Sequence, residues 1–456
     1  MRNGIHWFRR DLRIHGNPAL TENYKRYKEK VLGVFCFDKK FLQRPDFSHN
    51  RFQFFIESLK ILRAEMRSIG SDLLFLDIGP EEAFKKLFTT NIPQTISFNR
   101  DYEPFARARD AKMTEFFKSK NIEVITERDH VLIEPYELLK PDKTPYQVFT
   151  PFQKKWLEHF ESSTIQKRLL PLKEIKNKIS VTAEDDLLEK YSQENLKKVT
   201  IPIPKAGHRE ALEYLKTFEP KLNNYGKDRD FPSIPGTSKF SLFFKNGSLT
   251  LAQVISHFKF KKLNKFFSEL IWREFYYSIL YHFPQVERES FNPKYKNIAW
   301  ENNEEYFTAW KEGKTGYPIV DAGMRELNQT GWMHNRIRMI VASFLTKDLL
   351  VNWQWGEKYF MEKLLDGDLA PNNGGWQWAA STGCDAQPYF RIFNPLLQSQ
   401  KFDPHGDYIR KYIPELKHLD SKSIHEPTKE QRGSYPEPIV DHAIQREKAL
   451  KMYKVI

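Results

Sequence analysis

Val31-Leu-Gly-Val-Phe-Cys-Phe37 is the stretch on which the fold reading turns. Its run of apolar and aromatic side chains, unbroken by a charge, reads as a buried strand. Ile5 to Phe8 is a shorter apolar start of the same kind, and Leu73-Leu-Phe-Leu76, Thr95-Ile-Ser-Phe98 and Ile122-Glu-Val-Ile125 repeat the signal downstream. Charged, helix-periodic stretches such as Arg51 to Ile69 and Ala106 to Ser119 lie between them. Strand and helix alternation through about residue 130 predicts a Rossmann-like α/β unit with a parallel sheet. Neither GxGxxG nor GxxxxGK[ST] follows its first strand, so dinucleotide or P-loop binding there is poorly supported.

Outward from this unit the composition changes. Residues 131–205 read as a long connector, interrupted early by Pro141, Pro145 and Pro151 and dominated by mixed charge from Lys173 to Lys198. Residues 206–456 carry amphipathic segments such as Leu249 to Phe267 and Asn335 to Leu350, with little β-branched alternation, and predict a large helical domain. The net charge of +13 favours polyanionic partners. Cys36 and Cys384 form neither a CxxC nor a zinc set, and no apolar run approaches a membrane span. A monomeric cytoplasmic protein that holds no metal is expected.

Four polar and aromatic clusters in the helical region carry the chemistry. Asn224-Tyr225, Arg229-Asp-Phe-Pro232 and Gly236-Thr-Ser-Lys-Phe-Ser241 combine hydroxyls with glycine, which can suit phosphate oxygens, although from this cluster alone a turn and an N-cap is the preferred reading. Glu269, Trp272 and Arg273 fall at i, i+3 and i+4, and so do Asn335, Arg338 and Met339. The fourth cluster is Asp366-Gly-Asp-Leu-Ala-Pro-Asn-Asn-Gly-Gly-Trp-Gln-Trp378, where large rings sit among amides and carboxylates instead of Leu, Ile and Val. Buried polar groups need partners, and a planar polar ligand supplies them.

Trp7-Phe-Arg-Arg-Asp-Leu-Arg13, Ala106-Arg-Ala-Arg-Asp110, Arg229-Asp-Phe-Pro232 and Glu269-Leu-Ile-Trp-Arg-Glu-Phe-Tyr276 recur in a known order with Gly316-Tyr-Pro-Ile-Val-Asp321 and Gly331-Trp-Met-His-Asn-Arg336. With Gly374-Gly-Trp-Gln-Trp-Ala-Ala-Ser381 and Tyr389-Phe-Arg-Ile-Phe-Asn-Pro395, they make the chain resemble the DNA photolyase/cryptochrome family, closest to bacterial class I cyclobutane pyrimidine dimer photolyases. The resemblance implies FAD in the helical domain and light-driven electron transfer from reduced flavin to a flipped dimer, followed by ring splitting and electron return.

It also implies roles for individual residues. Tyr225, Thr237, Ser238 and Ser241 would serve the phosphate and ribitol region, with Arg338 paired to Asp366 near the isoalloxazine. Asp368 would fix the ribityl or flavin edge, and Asn372 would face flavin N5. Glu269 would hydrogen-bond the lesion, Trp272 and Trp378 would flank it, and Asn335 and Met339 would complete its contacts. Trp376, Trp353 and Trp300 would form the photoreduction chain, while Arg336, Arg391 and Lys401 would grip DNA phosphates.

Asn335 follows His334 where (6-4) photolyases and animal cryptochromes carry a second histidine, which points to cyclobutane dimers in DNA as substrate. Folate-binding bacterial relatives have an acidic residue where this chain has Ala106, and a Cys-Lys pair where it has Glu287-Arg288. A deazaflavin or a second flavin is therefore favoured over reduced folate as an antenna.

Overall fold

A computed structural model describes residues 4–27, 31–90, 92–160, 165, 168–169, 186–260 and 262–454. Most of the charge-rich stretch from Lys173 lies outside the described residues. The chain forms two compact units, one of Met1–Tyr146, Thr150–Pro220 and Ser238–His282, the other of Gln147–Phe149, Lys221–Thr237 and Phe283–Ile456.

The first unit holds a five-stranded sheet in the order β3-β2-β1-β4-β5, made of β1 (Gly4–Trp7), β2 (Val31–Cys36), β3 (Leu73–Leu76), β4 (Thr95–Asn99) and β5 (Glu123–Glu127). Every pairing is parallel. The helices α1 (Pro18–Tyr27), α2 (His49–Ser68), α3 (Pro80–Leu87) and α4 (Pro104–Ser119) alternate with the strands. Phe35 and Phe75 pack with Leu59, Leu62 and Met66 of α2 on one face. Val34 and Leu74, one residue earlier in each strand, pack with Phe84 of α3 and Met113 and Phe117 of α4 on the other. This alternation is the two-residue period of the strand, and both faces are covered, as the apolar run required.

Strand order reverses at β1, the place where doubly wound sheets receive nucleotides. Here protein side chains fill it. His6 meets Ser97 Oγ at 2.9 Å and Asp11 Oδ2 at 3.1 Å, while Asn99 donates to Asp11 and to Asn17 Oδ1, both at 2.7 Å. Arg9 donates to Asp110 at 2.9 Å and lies 4.6 Å over the rings of both Trp7 and Phe98. The missing glycine fingerprint and this self-satisfied polar network are two sides of one fact.

Helix α5 (Lys265–His282) belongs to the unit with the sheet, although the sequence places it in the helical domain. Glu274 is the reason. It accepts backbone N–H groups from Leu132 and Ile133, and the Trp156 indole at 2.5 Å, and burial pushes its carboxyl pKa up. Arg273, its neighbour, donates to the His130 carbonyl at 2.9 Å and meets the His130 ring at 2.6 Å. These bonds span more than a hundred residues, which no local pattern reports.

The described elements after residue 206 are all helical. In the second unit α6 (Glu304–Glu312), α7 (Pro318–Thr330), α8 (Asn335–Ser343), α9 (Trp353–Lys363) and α10 (Leu369–Ala379) enclose one apolar cluster built on Trp310, Ile337, Phe344, Trp353, Phe360 and Trp376, and α11 (His442–Lys454) follows near the end of the chain. Among the described residues no helix is long and apolar enough to cross a membrane.

A π-helical turn, Phe344–Asp348, follows α8 and buries two adjacent charges. Asp348 meets His442 of α11 at 2.5 Å, and burial raises its carboxyl to about 6. Lys347 donates to Ser381 Oγ at 2.8 Å and to the Tyr389 carbonyl at 3.2 Å, and burial lowers its ammonium to about 7. Below pH 7 the lysine is charged in both folded and unfolded chains, so the burial cost is fully present. Between about 7 and the ordinary lysine value of 10.5 the unfolded chain binds a proton that the folded one does not, so stability rises with pH across that window. Lys347→Met should remove this slope, gaining thermal stability over the parent at pH 6 and losing that advantage toward pH 10. Parallel melting curves for parent and variant across the range would contradict the assignment.

Candidate active site

The proposed site residues divide between the units. In the first, α5 buries Phe266, Phe267, Leu270, Ile271 and Phe275, and leaves Glu269, Trp272, Arg273 and Tyr276 on a half-exposed stripe. The i, i+3, i+4 spacing puts Glu269, Trp272 and Arg273 on one side of the helix, with Arg273 turned to His130 of the same unit. Trp272 touches Tyr276 with ring centroids 5.6 Å apart. Ser238 and Ser241 lie in the same unit, Ser238 accepting the Phe240 N–H at 3.4 Å and Ser241 opening a short helix, Ser241–Asn246.

In the second unit the centre is an ion pair. Arg338 donates to both oxygens of Asp366 at 3.1 and 2.9 Å and to the Met333 carbonyl at 2.8 Å. The Asp366 side chain is only 2% exposed, whereas the Arg338 side chain is 26% exposed. Its position depends on His334, which caps α8 by accepting the Arg336 N–H at Nδ1 and is itself held by its own N–H to Glu326. Burial lowers the imidazole to about 4, so it is neutral, and because Nδ1 accepts, Nε2 carries the hydrogen. Asn335 and Met339 face each other one turn apart, with Nδ2 to Sδ at 3.9 Å.

Asp368 stands at the N-cap of α10 and makes no side-chain cap bond. Asn372, in the first turns, donates from Nδ2 to the Glu357 carbonyl at 3.1 Å, which fixes the amide plane and turns Oδ1 away from α9. The rest of this polar block serves the fold. Asn373 and Gln377, one turn apart, both donate to the Val286 carbonyl, at 2.9 and 3.1 Å. Sequence reading missed this use, since nothing local marks Val286 as the acceptor.

Trp376 and Trp353 are buried in the apolar cluster, and Trp300 and Trp378 pack against it half-buried. Tyr225 is buried at the start of a short helix, Tyr225–Asp228, with Arg229 over its ring. Thr237 follows Gly236, where an added Cβ would come within 2.6 Å of Asp228 Cβ, so only glycine lets the two strands of this turn approach. Arg336 is less available than the sequence implied: it donates to Asp230 at 2.8 Å and lies 4.2 Å over Phe402. Lys401 flanks the same ring at 5.3 Å and is exposed, as is Arg391.

The second unit also offers features that fit a planar ligand bearing hydrogen-bond acceptors. The Trp376 indole N–H and the His334 Nε2 are buried without a partner. Beside Gly375 on α10 an added Cβ would meet nothing within 4 Å. A groove of about 860 Å³ in the first unit, lined by Ile61, Ala64, Leu196 and Ile203, contains none of the proposed residues. The two arginines after Ala106 are engaged within the first unit: Arg107 donates to the Tyr281 carbonyl at 2.9 Å, and Arg109 meets Asp110 at 2.7 Å. Among the described residues no cluster of three or more His, Cys, Asp or Glu side chains is arranged to hold a metal.

Residues 4–173 match the family described as DNA photolyase, and residues 266–455 match the FAD binding domain of DNA photolyase. A deoxyribodipyrimidine photo-lyase of Alkalihalophilus pseudofirmus is 39% identical over 98% of this chain and 97% of its own length. The crystal structure of an archaeal photolyase from Sulfolobus tokodaii with two FAD molecules superposes with a TM-score of 0.86 at 35% identity, covering 100% of both chains. That of a bacterial class III photolyase from Agrobacterium tumefaciens superposes with a TM-score of 0.87 at 34% identity, covering 100% of this chain and 98% of the other. This last match overturns the class I placement expected from the sequence. With this full-length similarity and matches in both halves, the chain belongs to the DNA photolyase family.

Proposed function

We propose that this protein is a light-driven lyase that splits cyclobutane pyrimidine dimers in DNA. The reading is supported above all by the Arg338–Asp366 pair, set in the same unit as the oriented Asn372 amide and the buried Trp376. FAD bound there would supply light absorption and the one-electron exchange with the dimer.

The chain's residues bind, orient and exclude water. Arg338, held by Asp366, would meet the flavin near a carbonyl, and Asn372 would face N5 through its amide. Asp368 would take the ribityl or flavin edge, and Tyr225, Thr237, Ser238 and Ser241 would serve the phosphates and ribitol. Glu269 holds a pyrimidine edge of the flipped lesion, Trp272 and Trp378 cover its apolar faces, and Asn335 and Met339 complete the contacts. Trp376, Trp353 and Trp300 would form the chain that supplies electrons to the cofactor when it is oxidised. Ala106 and Glu287-Arg288 lack the groups a folate would use, which favours a second flavin or a deazaflavin as antenna, and a relative with two FAD molecules supports the second flavin. The protein works as a cytoplasmic monomer on DNA.

The direct test reduces the bound flavin and supplies DNA with one defined cyclobutane thymine dimer, in light and in darkness. Light-dependent recovery of intact thymines is expected, and no recovery with fully reduced FAD defeats the reading. DNA attraction should fall with salt, because bound phosphates release counterions. Replacing Arg391 and Lys401 together by alanine should reduce the slope of log affinity against log salt by about 2, at roughly 0.9 per phosphate contact. Adding Arg336→Ala should change it less, since Asp230 already balances that charge. An unchanged slope in the double variant would remove both residues from the DNA contact.

A further inference from the structure

The peptide unit joining Met333 to His334 is held at both ends. Its carbonyl accepts the Arg338 Nε–H at 2.8 Å, and its N–H donates to Glu326 Oε2 at 3.2 Å. A carboxylate on the N–H side strengthens the carbonyl as an acceptor, because hydrogen bonds in a chain polarise one another. Helix α8 begins one residue later, at Asn335, and the segment before it is anchored again where the Gly331 carbonyl accepts the Leu365 N–H at 2.8 Å. Glu326 lies near the end of α7 and is only 6% exposed. Tyr408 donates to its Oε2 at 2.7 Å and Tyr412 to its Oε1 at 3.1 Å. These tyrosines stand one turn apart on a short helix, Asp407–Tyr412, and burial, together with the carboxylate beside them, pushes both phenols up, so both stay protonated donors. A buried carboxylate needs such partners, and here they fix it from a third segment of the chain.

We propose that Glu326, set by Tyr408 and Tyr412, is a positioning residue for recognition of the dimer: it fixes the start of α8, and with it the place where Asn335 and Met339 meet the lesion. The assignment rests on those two residues touching the dimer, as proposed above. Asn335 is exposed, and its Nδ2 meets Met339 Sδ at 3.9 Å, too weak a contact to aim an amide. The backbone that carries it decides its direction, and Glu326 holds that backbone through the His334 N–H. The proposed phosphate contacts Arg391 and Lys401 lie on a different stretch of chain, outside this network. Phosphate contacts give attraction to any DNA, whereas contacts to the bases discriminate. Glu326 therefore governs the preference for damaged over undamaged DNA and leaves general attraction alone.

The test is binding in darkness of the FAD-loaded holoprotein to a duplex with one cyclobutane thymine dimer and to the same duplex undamaged, in the parent, Glu326→Gln, Glu326→Met, Asn335→Ala and Glu326→Met/Asn335→Ala. Glu326→Gln keeps an acceptor for the His334 N–H, and its amide can donate to a tyrosine oxygen, so it should retain the parental preference. Glu326→Met should lower the preference roughly five- to tenfold, the worth of about one hydrogen bond, with affinity for the undamaged duplex unchanged. In the Asn335→Ala background the same change should have little further effect, since it acts through the amide already removed. Undiminished preference in folded Glu326→Met overturns the assignment, and so does a loss that adds in full to that of Asn335→Ala. Parental preference in Asn335→Ala, or none in the parent, instead overturns the reading of function on which it rests. Glu326→Met strands two buried hydroxyls, so Glu326→Met/Tyr408→Phe/Tyr412→Phe, in which those hydroxyls are gone, should fold where the single variant does not and show the same loss. Melting temperature and FAD content check each variant.

Discussion

Asp366→Ala should yield a protein that loses FAD on purification and melts at lower temperature. Removing one member of a buried ion pair leaves the other uncompensated, a loss of about 3 kcal/mol at the low end of the usual range because Arg338 keeps partial access to water. The guanidinium remains tethered by its bond to the Met333 carbonyl, so it stays near the start of α8 without its counter-charge. Arg338→Met/Asp366→Leu distinguishes stability from binding. Replacing both charges by apolar groups should restore much of the melting temperature, since buried pairs contribute little net stability against an apolar substitute, while FAD remains lost. Flavin absorbance per mole of protein and thermal unfolding measure the two effects. Parental FAD content in Asp366→Ala would sink the assignment of this pair to the cofactor.

Gly356→Ala should destabilise the second unit, because the added methyl collides with a buried indole. The added Cβ would lie 2.1 Å from Trp376 Cη2, 2.5 Å from Cζ3 and 2.6 Å from a Leu345 methyl. Alanine in place of glycine within α9 gains about 1 kcal/mol of helix propensity. Overpacking a tight core typically costs about 1–3 kcal/mol, and more where an aromatic ring must move. Trp376 is wedged against Phe360 and Trp310 and has little room to yield, so the collision outweighs the helix gain. The variant should melt at lower temperature and photoreduce its flavin more slowly, because the displaced ring is the proposed first electron donor. An unchanged or raised melting temperature would show that the cluster relaxes around Trp376 more easily than its contacts imply.

Gly356 also marks the limit of what was legible in the chain. It lies between Trp355 and Glu357 with nothing local to show that its missing side chain makes room for an indole twenty residues later. The strands were legible because alternation and apolar runs are local properties, set by side-chain direction along a pleated backbone. The same holds for the stripe of Glu269 and Trp272 on α5, and for Asn335 facing Met339 on α8, where helical geometry alone decides the face. The polar block after Asp366 was legible only as a whole. Asn372 is tied to Glu357, whereas Asn373 and Gln377 are tied to Val286, a partner some ninety residues upstream.

By itself, the amino-acid sequence determined the parallel α/β unit, the helical character of the rest, and membership of the family through motifs along its length. Tertiary structure alone decided that α5 belongs to the same unit as the sheet, that Asp230 balances Arg336, and that Trp310 sits beside Trp376. The reason is physical. Periodicity is set by neighbours a few bonds apart, while each of these pairings depends on where the fold brings distant segments, and a buried charge, amide or ring takes whichever partner it finds there.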